Sequence, residues 1–91
     1  MTSYEFEKLA KNAAIKSAEK YDRGLTIEDM HIVWFAHVLG NKKCLMFTEK
    51  LQGLYFEVTY NSLKEEIYVD TYGKLNNMRI GHEDPLWAFM S

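Results

Sequence analysis

The 91-residue chain has one cysteine, one proline, no run of like charges and no long apolar stretch. Each shortage excludes something. Cys44 alone rules out an intrachain disulfide and a multi-cysteine metal knuckle, and fits a reducing, cytoplasmic setting. No segment approaches the ~20 apolar residues of a membrane span, and MTSYEFEKLAKN lacks the apolar core of a signal peptide. The expectation is a soluble intracellular protein with no membrane contact. Eleven basic and thirteen acidic residues leave a net charge of −2, too weak for a DNA mimic and of the wrong sign for a general nucleic-acid binder. No glycine-rich phosphate loop, Ser–His–Asp pattern or dinucleotide fingerprint occurs.

What is present is apolar and aromatic: 47% hydrophobic and 14% aromatic residues, a globular composition. The length suits one domain with one core, 1–91. Thr2 and Glu5 fit a capping box, and nothing breaks a helix before Gly24, so the spacing predicts a helix over 2–24. Phe6, Leu9, Ala10, Ala13, Ala14, Ser17 and Tyr21 form its apolar stripe. The small residues in mid-stripe let a helix lie close to a sheet. Tyr4 and Ile15 sit on the opposite, charged side. From residue 30 the period changes to 2, predicting strands at about 30–39, 43–49, 53–61 and 65–73. Short connections at Gly40-Asn41, Leu51–Gly53 and Asn61-Ser62 make them an antiparallel meander. The expected fold is α+β: one long N-terminal helix on a four-stranded antiparallel sheet, a cystatin-like arrangement, with an apolar C-terminal tail over 81–91.

Parity divides the sheet into two sides. The first, with Val33, Phe35, Cys44, Met46, Leu54, Phe56, Val58, Ile67 and Val69, is the seat for the helix. In this register Phe35 faces Met46, Trp34 faces Phe47 and Val58 faces Ile67. The second side has Ile32, Trp34, Ala36, Leu45, Phe47, Tyr55, Glu57, Thr59, Tyr68, Asp70 and Tyr72. One helix cannot cover both. Something must meet the second side: the tail, with Leu86, Trp87, Phe89 and Met90, or another chain.

Three sets of residues invite a chemical reading. His37 lies near Cys44 across the first turn, as a base beside a thiol would. No third orienting group accompanies the pair, and both fall on the core side, so packing is the stronger reading. His82-Glu83-Asp84 carries metal-ligand types, but three adjacent loop residues seldom converge, and no metal site is expected. Tyr55 with Asp70, and Glu57 with Tyr68, are placed opposite each other on the last hairpin. That invites acid–base chemistry, against the plainer reading of a hydrated sheet face. Glu57, Glu66 and Asp70 among the aromatics would repel phosphates, which makes nucleic acid an unfavoured partner.

The strand motifs VWF (Val33–Phe35), GLYFEVTYN (Gly53–Asn61) and EIYVDTY (Glu66–Tyr72) resemble those of an uncharacterised family of short phage and prophage proteins. The resemblance spans most of residues 4–77. Ser62 stands where that pattern has a turn glycine, and the segment after Ile80 is particular to this chain. The family brings no activity and no catalytic residues. It implies a small phage-made protein, for which a host factor or defence component is the natural target. The expected function is therefore non-enzymatic: binding and masking a host protein, without cofactor. Trp34, Phe47, Tyr55, Tyr68, Asp70, Tyr72, Trp87 and Phe89 are the candidate contact residues, and Tyr4 with Ile15 a second patch. Homodimerisation through the same surface is also expected. The alternatives are a small-ligand or nucleotide-binding module on the concave side of the sheet, and an enzyme built on Tyr55, Asp70 and His37.

Overall fold

A computed structural model describes residues 1–74 and 78–90, with the side chains of Trp87, Phe89 and Met90 outside the description. Helix α1 (Ser3–Ser17) starts at a capping box: the Glu5 N–H donates to Thr2 Oγ1 at 3.1 Å and the Thr2 N–H to Glu5 Oε1 at 2.9 Å. These bonds, the backbone one first, hold the Glu5 carboxyl below its ordinary pKa. The sequence places the end of the helix at Gly24, but α1 closes at Ser17 and a 3₁₀ turn, Ala18–Lys20, follows. The Ala18 N–H is shared among the carbonyls of Ala14, Ile15 and Lys16, which tightens the last turn. Asp22 then accepts from the Gly24 N–H at 2.7 Å, a local bond that competes with helix continuation. A second 3₁₀ turn, Ile27–Asp29, leads into the sheet.

The four strands are β1 (His31–Val38), β2 (Asn41–Phe47), β3 (Leu54–Asn61) and β4 (Glu66–Gly73), all antiparallel in spatial order β1-β2-β3-β4. This is the expected meander. Helix α1 crosses one side of it obliquely. Near its start, Phe6 packs against Phe35 of β1 with ring centroids 5.5 Å apart. At its end, Ser17 Oγ lies 3.5 Å from Thr71 Oγ1 of β4. Between them Ala10, Ala14 and Ala18, four residues apart, are wholly buried. The sheet supplies the bulk: Cys44, Met46, Phe56 and Val58 are also wholly buried, and Leu25 and Met30 close one end. Leu9 and Tyr21, placed on the buried stripe by periodicity, are exposed at its margins.

The register corrects several sequence-based pairings. The β2–β3 register is as expected, with Met46 opposite Phe56. The first hairpin turns at Leu39-Gly40, not Gly40-Asn41, with both turn residues at positive φ (50° and 82°). This mirror-image turn matches the twist of the flanking strands. Phe35 therefore faces Cys44, Trp34 faces Leu45, and His37 faces Lys42. The last hairpin turns over Ser62–Glu65, so Val58 faces Val69 and Tyr60 faces Ile67. Both corrections shift the register by two residues and leave each side chain on its assigned side. Val33 is different. The register steps between Ile32 and Trp34, and Val33 is the extra residue of a bulge. Ile32 packs with the core opposite Met46, while Val33, expected beneath the helix, is 52% exposed.

Candidate functional site

The side of the sheet away from α1 is built in cross-strand rows. One row runs His31, Phe47, Tyr55, Tyr72; the next Trp34, Leu45, Glu57, Asp70; the third Ala36, Lys43, Thr59, Tyr68. Strands about 4.8 Å apart make this surface ~14 Å wide between the outer strand axes. Its chemistry changes across that width. β1 and β2 contribute mostly apolar groups, β3 and β4 tyrosines and carboxylates. Trp34 (39%), Tyr55 (38%), Tyr68 (48%) and Tyr72 (50%) are each more than a third exposed. Phe47 is half-buried between the rings of His31, at 5.3 Å, and Tyr55, at 6.5 Å. The strand backbone thus holds four exposed aromatic residues on one surface and fixes the spacing of their attachment points.

The polar half departs from the expected pairing. Tyr55 faces Tyr72, not Asp70, and Glu57 faces Asp70, not Tyr68. Two carboxylates therefore stand directly opposite on neighbouring strands, an unfavourable pairing when unassisted. Lys43 Nζ lies 3.4 Å from Glu57 Oε1 and offsets part of the repulsion. The Tyr68 hydroxyl donates to the Glu66 carboxylate. That bond, then burial and the Glu66 charge, raise the Tyr68 phenol above its ordinary pKa and keep its proton in place. With one lysine against Glu57, Asp70 and Glu66, this half is acidic.

The remaining candidates are placed as follows. Cys44 is wholly buried and desolvation pushes its thiol up to about 11, so it is not a thiolate at neutral pH. His37, expected to pack in the core, is exposed and pairs with Lys42, two residues along each strand from the Phe35–Cys44 pair. Ile15, assigned to an outer patch, is half-buried against the core. Tyr4 is exposed, with Lys8 Nζ 5.6 Å from its ring centroid. Trp87 and Phe89 lie outside the described side chains. Among the described residues no three His, Cys, Asp or Glu side chains are grouped to hold a metal. None of the described helices is long and apolar enough to cross a membrane. Sequence reasoning missed Lys42, which is 8% exposed on the helix side and donates from Nζ to the Met1 carbonyl. Its even spacing with Cys44 and Met46 was the available signal.

Shallow grooves mark the described surface. One of about 360 Å³ runs along β1 and β2 on the far side, lined by Trp34, Ala36, Val38, Leu39 and Lys43 among others. A second, about 290 Å³, lies beside Phe47, Leu51, Leu54 and Tyr55. A third, about 350 Å³, lies against the outer face of α1 between Tyr4, Lys11 and Ile27.

An α+β domain of one helix on a four-stranded meander, with an open aromatic and acidic sheet surface, is the class these observations define. Residues 6–82 match the family of unknown function DUF6275, and the chain belongs to that family. Neither curated proteins nor solved structures give a match.

Proposed function

We propose that this protein is a non-enzymatic binding module whose far sheet side docks on another protein and masks it. The observation that carries the reading is the group Trp34, Tyr55, Tyr68 and Tyr72, more than a third exposed on the side that α1 does not reach. Aromatic side chains held on rigid strands offer large contact area at low ordering cost, and tyrosine adds a polar tip. Phe47 extends the apolar half, and Asp70 with Glu57 gives the other half negative charge. The partner surface that fits is apolar on one side and basic on the other. Trp87 and Phe89 join this proposal on sequence grounds alone. The resemblance of the strand motifs to those of short phage and prophage proteins is what supports a host factor or defence component, met in the host cytoplasm, as the target class.

The test compares the full chain with a Tyr68→Ala/Tyr72→Ala variant as immobilised bait against a host-cell lysate. A partner held by the parent chain is lost by the variant, while the melting temperature moves by less than ~4 °C. Equal recovery by both baits refutes the reading. So does collapse of the variant's fold, because those tyrosines would then belong to the core. A small-ligand module is the second reading, favoured by the far-side groove of about 360 Å³. It requires a ligand that raises the melting temperature at saturation and loses that effect in Trp34→Ala.

A further inference from the structure

The edges of the sheet carry an inference separate from its far surface. β1 and β4 are the outer strands, and each leaves one row of backbone N–H and C=O groups unpaired within the sheet. The two edges differ in chemistry. β4 carries Glu66 and Asp70 and is followed by Lys74, charges of the kind that discourage edge pairing. β1 has no Asp, Glu, Lys or Arg in eight residues. It exposes Val33, Trp34, Phe35 and Val38, and runs into Leu39, which is 96% exposed. Among the described residues, the loop and turn backbone hydrogen bonds leave β1 untouched, so its bonds are those of the β1–β2 ladder. The bulge at Val33 interrupts the first part of this edge and leaves Trp34–Val38 as a regular template.

We propose that β1 pairs antiparallel with β1 of a second copy about a two-fold axis, joining two sheets into one of eight strands. Charge distribution selects this occupant over the other edge combinations. Joining β4 to β4 brings the Glu66 and Asp70 carboxylates of both copies onto two adjoining strands. Joining β1 to β4 is a head-to-tail contact, which continues into a ring or a filament and sets the charged β4 edge against the apolar β1 edge. Joining β1 to β1 closes, and it moves every β4 carboxylate to an outer strand. The two Asp70 residues then stand seven strand spacings apart, ~34 Å, well beyond the ~8–10 Å over which salt screens charge. On the far side the two Trp34–Ala36–Val38 rows become one uncharged central strip, flanked by the grooves beside them. On the helix side Phe35, packed at a tilt against Phe6, borders the second copy together with His37. The product is a doubled binding surface, apolar at its centre and acidic at both rims.

The test is the mass of the full chain by light scattering at about 100 µM, well above a micromolar dissociation constant. The expected value is twice the 10.7 kDa chain mass. In an Ala36→Lys/Val38→Lys variant, both positions lie within the template and outside the buried core, and self-association weakens by at least ~100-fold with little change in melting temperature. Tyr68→Ala/Tyr72→Ala, on the opposite edge, leaves the dimer intact. Amide exchange supplies a readout that needs no variant: outward amides within Trp34–Val38 are protected at high concentration and lose protection on dilution. A monomeric parent chain overturns the proposal, as does a dimer that survives the lysine pair or is lost with the tyrosine pair. Loss of partner capture in the tyrosine variant tests the binding reading separately, since that variant keeps its β1 edge.

Discussion

The two sides of this sheet are made by the same strands, with side chains alternating between them, yet they reach opposite solutions. On the helix side Cys44, Met46, Phe56 and Val58 have no exposed surface, sealed by an alanine line only one methyl group tall. On the far side Trp34, Tyr55, Tyr68 and Tyr72 stay more than a third exposed, although each ring is larger than most of the buried side chains. Burial of apolar area at roughly 25 cal/mol per Å² therefore collects on one side. Buried packing and exposed aromatic surface are divided between the two sides of one layer. Residues on the far side can change without altering the packing under α1.

Substitutions can break that division or sharpen it. Phe56→Ala removes a wholly buried ring from the helix side and is expected to cost ~3–5 kcal/mol. Tyr72→Ala, on the neighbouring strand but the other side, is expected to cost under ~1 kcal/mol. Urea midpoints of the two variants measure the contrast, and equal losses would abolish it. Ala14→Leu probes the seal itself: wholly buried at the middle of the alanine line, it should cost ~1–3 kcal/mol by forcing α1 off the sheet. Leu39→Asn acts at the first turn, where leucine sits at φ 50° with its side chain in water. Asparagine tolerates that conformation better, and a gain of ~0.5–1 kcal/mol in thermal unfolding is expected.

Cys44 reports on the seal through its thiol. Its thiol should resist a disulfide reagent at pH 8 in the folded chain and react once the chain unfolds. Because folding raises this pKa from about 9 to about 11, the unfolded chain ionises first and gains stability first. Folded-state stability should therefore decline as pH rises through that interval. Rapid native labelling at pH 8 would show that the helix side is not closed.

How much of this was legible beforehand depends on what each error changes. The helix, the four strands, the meander order and the β2–β3 register follow from period and turn residues. The first and last hairpins slip by two positions. The asparagines at 41 and 61 attract a turn assignment, while the chain turns through Leu39-Gly40 and Ser62–Glu65 instead. In the last hairpin Asn61 still assists, its Oδ1 accepting from the Leu63 and Lys64 N–H groups. A slip of two keeps sidedness, so most of the candidate surface survives it. It does not keep partners, and the juxtaposition of Glu57 with Asp70 was lost for that reason. The Val33 bulge reverses sidedness within one strand, and nothing in the VWF motif distinguishes it from regular strand. Ile15 was misplaced because a helix crossing a sheet obliquely buries more than one stripe.

Alternation and capping are local properties, encoded by neighbours in the chain, and they sufficed to specify a helix, a meander and a sheet with one greasy and one aromatic, acidic side. Which residues stand opposite one another, where the first strand bulges, and that Lys42 lies under the helix start were settled only when distant segments packed. Those outcomes depend on the competing fit of whole strands and on α1 choosing a diagonal path from Phe35 to Thr71. No single stretch of residues contains that choice.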